Sequence, residues 1–227
     1  MQCIARLVPA GSRLIDVGTD HAYLPLHLLQ NGAVREAVAS DIHEGPLQRA
    51  MMNAAGQEEN RISFVLTDGL HGIDLREGDT VVLAGMGGDL ISDILSAANL
   101  QMNNLTFLLQ PMTKQEVLRK NLSSLGLFER EEHLVKDAGR IYTILICENS
   151  GQNSGMSEAE YYTGSWELLC GDPLFTEHLA AQRRRFEKQI KGMEQAKTAY
   201  QSKDILRCQS ILNQIMHMEE LLNGHRS

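Results

Sequence analysis

An acidic, glycine-containing motif follows the first apolar segment of the chain. Asp16 lies in that segment, Gly18 ends it, and Asp20 follows two residues later. Glycine lets the main chain approach a ligand closely, and the amides that open a following helix bind polar groups. Asp20 stands where a dinucleotide-binding loop would have its second glycine, so a pyrophosphate would meet a carboxylate. The motif favours a cationic group, such as the ammonium end of S-adenosylmethionine, while a plain turn capped by Asp is the structural alternative.

Two further acids follow the next apolar segments. Asp41 lies 23 residues after Gly18. An acid there accepts hydrogen bonds from ribose hydroxyls in a Rossmann-like crevice, which nicotinamide and adenosylmethionine cofactors share. Asp68 precedes Gly69 after the third segment, where it could accept from the exocyclic amine of adenine or simply form an Asp-Gly turn.

A glycine-rich motif, Ala84-Gly85-Met86-Gly87-Gly88, follows the fourth apolar segment. The missing side chains allow the main chain to approach something flat or crowded, although a flexible strand-to-helix turn is the structural alternative. Four such features at four successive strand ends carry more weight together than any one alone, because these ends line the ligand crevice of an open parallel sheet.

The elements that must position these residues alternate between short apolar runs and amphipathic stretches. Predicted strands cover residues 14–18, 37–41, 62–66, 80–84, 105–109, 127–136 and 140–148. Predicted helices cover residues 22–31, 46–55, a stretch through 91–95, and 114–125. This order predicts an α/β fold of the Rossmann-like type, with a mostly parallel sheet, helices on both faces and a late antiparallel strand.

A different periodicity begins near the C-terminus. Residues 149–157 are polar and rich in Gly and Ser, which is typical of a linker. Apolar residues then recur at gaps of three and four in two runs, up to Tyr200 and from Ile205, with Ser202–Asp204 between them. We predict an antiparallel coiled-coil hairpin and three segments: a domain at 1–149, a connecting segment at 150–176 and the hairpin at 177–227.

Composition limits the functions this chain can have. The 227 residues have a formal net charge of −8, which argues against binding nucleic acid through bulk charge. The four cysteines form no CxxC pair, and no apolar run reaches the length of a membrane helix. We therefore expect a reduced cytoplasmic protein, without a metal site or membrane partner, and we expect a monomer. Residues 1–150 hold 12 basic and 19 acidic side chains, whereas a basic cluster spans Arg183 to Lys191.

Six segments resemble those of one enzyme family. They are DVGTDHAYLP (16–25), EGPLQRA (44–50), TDGL (67–70), AGMGGDLI (84–91), LLQPM (108–112) and GRIYTI (139–144). They are similar to the bacterial tRNA (adenine-22-N1)-methyltransferases, which are class I S-adenosylmethionine-dependent enzymes. The resemblance runs from about residue 7 to 148. It implies a seven-stranded Rossmann-like domain with a C-terminal coiled-coil hairpin, S-adenosylmethionine as cofactor and tRNA as partner.

The resemblance also implies roles for individual residues. The cofactor's methionine end would lie among Asp16, Gly18, Asp20 and His21, its ribose at Asp41, and its adenine at Ile42, Asp68 and Gly69. Ala84, Gly85 and Met86 would line the cofactor, and Gly85, Met86 and Gly87 would form the floor under the target base.

The implied reaction needs little acid–base chemistry, because N1 of neutral adenine has a lone pair that can attack the sulfonium methyl directly. Positioning would supply most of the rate. A carbonyl or carboxylate near N6 would stabilise the charge that develops. Candidates are the Ala84 and Gly85 carbonyls, Gln110 and Asp20, with Met86 beneath the base. His21 could act as a base or serve only as a hydrogen-bond partner.

The tRNA residues follow from the same resemblance and from the basic cluster. A paired N1 is hidden, so the base would leave its stack and could rest on Tyr23 or Tyr142, unless these are ordinary core or edge tyrosines. Predicted tRNA contacts are Tyr23, Gly87, Arg140, Tyr142, Arg183, Arg184, Lys188 and Lys191. A solvated helix face is the other interpretation of the basic cluster.

Three other functions remain open from the sequence. The first is a class I methyltransferase acting on another RNA, a protein or a small molecule. The second is a nicotinamide-dependent oxidoreductase, which the missing glycines disfavour. The third is a tRNA-binding module without catalysis.

Overall fold

The computed structural model describes residues 1–56, 58, 60–98, 100, 104–149, 155–196 and 202–224. The chain divides into two compact units. The sheet unit comprises Met1–Glu131 and Tyr142–Ser154, and the helical unit comprises Glu132–Ile141 and Gly155–Ser227. The predicted connecting segment, 150–176, thus overlaps the helical unit from residue 155 onward, and residues 150–154 lie outside the described residues.

A seven-stranded sheet forms the first part of the chain. Its strands are β1 (Arg13–Val17), β2 (Glu36–Asp41), β3 (Ile62–Leu66), β4 (Thr80–Gly87), β5 (Thr106–Thr113), β6 (Phe128–Asp137) and β7 (Arg140–Glu148). The helices are α1 (Gln2–Leu7), α2 (Tyr23–Gln30), α3 (Glu44–Ala54), α4 (Gly88–Ala97) and α5 (Gln115–Leu122). The strand order is β3-β2-β1-β4-β5-β7-β6. The first five strands are parallel to one another and β7 is antiparallel to β5, which confirms the predicted fold class.

Apolar side chains on one face of this sheet explain why α4 and α5 pack there. Ile15, Leu83 and Leu109 are fully buried in a cluster that also contains Ile91 of α4 and Leu118 of α5. Alternate strand residues point to one face, so both faces of these strands must be apolar to hold helices on each side. Strands β1 and β4 begin the two halves of the sheet, and their carboxyl ends are where such folds bind ligands.

Two strands are longer than predicted. We predicted that β4 would end at Ala84 and β5 at Leu109, whereas they run to Gly87 and Thr113. The pairing continues through the glycine-rich motif because Gly85 is an extra residue in a bulge between Ala84 and Met86. Pro111 lies within this irregular stretch, opposite Met86, where proline costs less than in a regular ladder.

The helical unit contains α6 (Glu160–Thr163), α7 (Trp166–Leu169), α8 (Phe175–Gln195) and α9 (Ser202–Gly224). Apolar residues at helical spacing on α8 and α9 share one buried cluster; among them are Leu179, Phe186, Ile190, Ile211 and Ile215. Ser202–Asp204, which lie between the two apolar runs of the sequence, form the first turn of α9. Tyr200 lies outside the described residues, and the coiled-coil geometry stays a prediction.

Candidate functional site

A pocket of about 270 Å³ opens at the carboxyl ends of β1 and β4. Its lining comes from the N-terminus and α1, from the end of β1 and the loop after it, from the start of α2, and from β4 and β5: Met1, Ile4, Asp16, Val17, Gly18, Thr19, Asp20, Tyr23, Leu24, Ala84, Gly85 and Gln110. It therefore brings together several residues that the sequence indicated separately. The contribution of this N-terminal region was not predicted, because Met1 and Ile4, which line the pocket, are apolar.

Asp16 is the buried acid of this pocket. Its side chain is only 8% exposed, and one carboxylate oxygen accepts a 2.6 Å hydrogen bond from the Thr19 hydroxyl. Burial raises the pKa of Asp16 to about 6, although the Thr19 hydrogen bond works in the opposite direction. A cationic ligand group next to this carboxylate would favour its ionised form.

Gly18 allows the loop after β1 to pass very close to its neighbours. Its N–H donates to the Ser40 carbonyl at 2.8 Å, and its φ is +73°. A Cβ on Gly18 would lie 2.4 Å from the Met86 methyl. Met86, the predicted floor residue, thus covers Gly18 and also packs against the buried cluster below the sheet. Any larger residue at position 18 would displace Met86 and adopt an unfavourable backbone conformation.

Two other residues of this loop have left-handed backbone conformations. Asp20 has a φ of +44° and Ala22 a φ of +56°. Such conformations are costly for non-glycine residues and concentrate at functional sites. The Asp20 carboxylate lies 3.5 Å from the Arg49 guanidinium and 3.6 Å from His21 Nε2. Arg49 comes from α3, so this ion pair connects the loop to a helix that follows β2.

His21 and Tyr23 form a stacked pair at the edge of the pocket. Their ring centroids are 5.1 Å apart and their planes differ by 22°. Tyr23 is 54% exposed. The His21 carbonyl accepts a 3.1 Å hydrogen bond from the Asn53 amide, which holds the loop against α3. An exposed aromatic face next to the pocket can stack on a flat ligand.

The ribose and adenine candidates lie at the ends of β2 and β3. Asp41 is nearly buried, and its carboxylate accepts the His43 backbone N–H at 2.8 Å. Ile42 beside it is 56% exposed. Asp68 lines a separate pocket of about 580 Å³ that also includes Leu90 and Ile94 of α4.

Gly69, next to Asp68, is held by close packing. Its φ is +59°, and a Cβ there would lie 2.8 Å from Ile94. The Asp68-Gly69 segment is therefore placed by its contact with α4, and this brings the end of β3 towards that helix.

The glycine-rich motif forms the bulge between β4 and β5. Gly85 has a φ of +78°, and its N–H donates to the Gln110 side-chain carbonyl at 3.0 Å. The Gln110 amide nitrogen lies 3.3 Å from the Met112 sulfur. These contacts fix the orientation of the Gln110 amide, and the exposed Gly85 main chain presents polar groups to the pocket.

Packing rather than backbone angle requires glycine at position 88, whereas a Cβ on Gly87 would meet the movable Asp89 carboxylate. A Cβ on Gly88 would lie 2.3 Å from the Lys114 carbonyl, and one on Gly87 would lie 2.5 Å from the Asp89 carboxylate. Lys114, with a φ of +51°, forms an ion pair with Asp89 at this point. The glycine motif is visible in the sequence, whereas this pair is not, because its two residues are 25 positions apart.

The predicted tRNA residues are spread over both units. Tyr142 belongs to the sheet unit and is half-buried on β7. Arg140 begins β7, is exposed, and groups with the helical unit. Gly87 ends β4, as described above. Tyr142 is not among the described residues that line the pocket of Asp16.

The basic cluster on α8 is split by helix geometry. Arg183 donates to Glu187 and lies 3.0 Å from Glu219 of α9, and these hydrogen bonds raise its pKa. Arg185 lies 5.9 Å from the centre of the Tyr162 ring. Arg184, Lys188 and Lys191 remain exposed at spacings of four and three residues, so they form one stripe.

Neither a metal-binding cluster nor a membrane-spanning helix occurs among the described residues. No group of three or more His, Cys, Asp or Glu side chains in that part of the chain could hold a metal ion. None of the described helices is long and apolar enough to cross a membrane.

A family model for a methyltransferase domain matches residues 1–145. The Bacillus subtilis tRNA (adenine(22)-N(1))-methyltransferase is 28% identical over 192 residues, which cover 84% of this chain and 79% of that protein.

Two solved structures are similar over almost the whole chain. The B. subtilis m1A22 tRNA methyltransferase TrmK has a TM-score of 0.71 at 26% identity, covering 98% of this chain and 95% of that one. A Streptococcus pneumoniae protein in complex with S-adenosyl-L-methionine has a TM-score of 0.80 at 26% identity, covering 96% and 97%. Since the domain model spans more than half of the chain and these relatives nearly all of it, the chain belongs to the class I methyltransferases, in the family of the tRNA (adenine-22-N1)-methyltransferases.

Proposed function

We propose that this protein is a methyltransferase that uses S-adenosylmethionine to methylate N1 of adenine 22 in the D-arm of tRNA. The observation that carries the proposal is the pocket at the ends of β1 and β4, which combines a buried acid with a glycine-rich bulge. It occurs in a chain related over 84% of its length to an enzyme of this specificity. The protein would act in the cytoplasm as a monomer, without a metal ion.

The residues of the pocket fit the methionine end of the cofactor. Asp16 and Asp20 supply carboxylates for the ammonium group, and Gly18 and Ala84 bring main chain close to it. A side chain at position 18 would need a strained left-handed backbone and would also push the Met86 methyl group aside. His21 follows in the same loop and holds its end against α3 through the Asn53 contact.

The adenosine end would extend along the sheet edge towards β2 and β3. Asp41 would accept hydrogen bonds from the ribose hydroxyls, and the exposed Ile42 would cover one face of the adenine. Asp68 and Gly69 would hold the adenine edge, next to a pocket that Leu90 also lines. The strand order β3-β2-β1-β4 makes this path continuous along one edge.

When bound, S-adenosylmethionine supplies a methyl group that the lone pair of adenine N1 can attack directly. The chain's own task is to orient the base and exclude water. Gly85 holds the Gln110 amide in one orientation, so the Gln110 side chain and the Ala84 carbonyl could stabilise charge at N6. Asp20 is a third candidate, and Met86 would support the base.

Recognition of tRNA would use both units. Gly87 and the aromatic faces of Tyr23 and Tyr142 would receive the extruded adenine. Arg140 would contact the tRNA from the first position of β7.

The exposed stripe of Arg184, Lys188 and Lys191 would contact phosphates. Arg183 could take the same role only by exchanging Glu187 and Glu219 for phosphate. The stripe therefore supplies the phosphate contacts that require no prior rearrangement.

The test is incubation of the purified protein with S-adenosylmethionine and unmodified tRNA, followed by nucleoside mass spectrometry and mapping of the modified position. We expect 1-methyladenosine at position 22, and none in a tRNA that carries guanine there. An Asp41→Ala variant should lose cofactor binding and serves as the inactive control. If the protein methylated a metabolite or a protein from a substrate panel and left the tRNA unmethylated, this would favour another class I methyltransferase.

A further inference from the structure

An ion pair beside the proposed base-binding floor has no role in the function proposed above. Lys114 follows directly after Thr113, which pairs with Gly87 at the end of the β4–β5 ladder. Its Nζ donates to the Asp89 carboxylate at the first turn of α4. Both side chains are about half exposed, at 56% and 44%. The pair therefore lies at the solvent-facing end of the two strands that carry the floor.

The main chain around this pair is tightly constrained. Lys114 has a left-handed backbone with φ of +51°, and Gly88 has no room for a Cβ because the Lys114 carbonyl lies there. A strained lysine at an exposed site is costly, and such strain persists where the surrounding packing enforces it. Because Gly88 has no side chain, the Lys114 main chain packs directly against the start of α4. The Lys114 side chain remains about half exposed to solvent.

The ionised carboxylate of Asp89 is not stabilised by Lys114 alone. The pKa of Asp89 lies below its usual value because Lys114 donates to it, and because the backbone N–H groups of Leu90 and Asp89 itself also donate. The same contact raises the pKa of Lys114. If Lys114 moved away, the amides at the start of α4 would still stabilise the carboxylate, so the lysine can be released at small cost.

We propose that Lys114 exchanges Asp89 for a phosphate of the tRNA next to the target adenosine and so positions the flipped base over the floor at Gly85–Gly87. The inference rests on the proposed function. An extruded nucleotide brings its own phosphates to the rim of the pocket. The first 150 residues hold 19 acidic and only 12 basic side chains, so a local cation at this rim would offset repulsion of the RNA backbone.

The test compares Lys114→Gln, Asp89→Asn and the double variant for tRNA affinity, its salt dependence, and S-adenosylmethionine affinity. We expect Lys114→Gln to weaken tRNA binding about twofold to fivefold. The slope of log affinity against log salt should fall by roughly 0.7 to 0.9. Asp89→Asn should tighten tRNA binding, a gain that a folding defect cannot produce. Cofactor affinity should stay unchanged in all three.

The double variant separates a specific exchange from a general charge effect. If Asp89 acts through Lys114, the gain from Asp89→Asn disappears in the Lys114→Gln background. Lys120→Gln and Asp74→Asn, exposed residues of the same unit, are charge-matched controls that should leave affinity unchanged. An equal gain in both backgrounds, or an unaltered salt slope in Lys114→Gln, overturns the inference. Absence of 1-methyladenosine with the wild-type protein overturns the proposed function and this inference together.

Discussion

The loop after β1 and the arginine run of α8 differ in where they place residues that are close in sequence. At the end of β1 and in the loop after it, Asp16, Gly18 and Asp20 stay together and line one pocket. On α8, Arg183 and Arg185 turn to different partners, Glu219 and Tyr162. A strand end delivers consecutive residues to one sheet edge, whereas a helix turns each residue about 100° from the last. Clustering in sequence therefore predicts clustering in space at strand ends and not on helices.

The largest effect is expected where the loop is most tightly packed. Gly18→Ala should lower cofactor affinity by about 30-fold or more, since a left-handed alanine costs roughly 1–2 kcal/mol and displacing Met86 costs roughly 1–3 kcal/mol more. Calorimetric titration with S-adenosylhomocysteine measures the change. Gly32→Ala is the matched control, because Gly32 has a similar φ of +66° but open space around it. Cofactor binding within threefold of wild type would break the argument for close packing.

Variants of the exposed stripe on α8 test whether its side chains contact tRNA. Replacing Arg184, Lys188 and Lys191 together with Ala should weaken tRNA binding about tenfold to a hundredfold. Each lost phosphate contact removes an ion pair and also the counterion release that accompanies it. Filter binding at several salt concentrations would show a shallower salt dependence. Cofactor affinity should not change. Unaltered tRNA affinity would mean that the stripe is only a solvated helix face.

The buried acid at the end of β1, Asp16, predicts opposite pH dependences for cofactor binding and for stability. With a folded pKa of about 6 for Asp16, the ionised form needed for the ammonium group is scarce at pH 5, so cofactor affinity should be about tenfold weaker there than at pH 7. The folded protein binds the proton more tightly than the unfolded chain does. The contribution of Asp16 to stability is therefore complete below about pH 4 and is lost as the pH rises through 6.

Titration of the wild type and an Asp16→Asn variant across this range provides the measurement for that prediction. The variant carries no ionisable group at this position, so its affinity should be weak and nearly independent of pH. A wild-type profile as flat as that of the variant would contradict a role for the Asp16 charge.

The smallest effect is expected at Arg183. Arg183→Ala should leave tRNA affinity within about twofold, because its guanidinium already bonds Glu187 and Glu219. Loss of these ion pairs should lower the melting temperature by no more than about 4 °C. Differential scanning fluorimetry beside a tRNA titration would separate the two readouts. A loss of tRNA affinity comparable to that of the stripe would show that sequence clustering does extend to α8.

Individual strands show which boundaries the sequence patterns predict correctly and which they do not. The bounds of β3 and β7 were predicted without error, because apolar alternation and turn residues marked both ends. The ends of β4 and β5 were predicted too early, because Gly85 and Pro111 usually interrupt a strand and here sit in or beside a bulge. The Asp20–Arg49 and Asp89–Lys114 pairs join residues far apart in sequence, so local patterns carried no sign of them.

By itself, the sequence determined the order of strands and helices, the acids and glycines at the strand ends, and the resemblance to a methyltransferase family. These depend on local periodicity and on residue types that are read directly. Only the tertiary structure decided that Met86 covers Gly18, that Gly88 admits the Lys114 carbonyl, and that Arg183 is paired while Arg184 is exposed. Such contacts arise from how separate elements pack, which depends on side-chain shape across the fold and leaves no pattern along the chain.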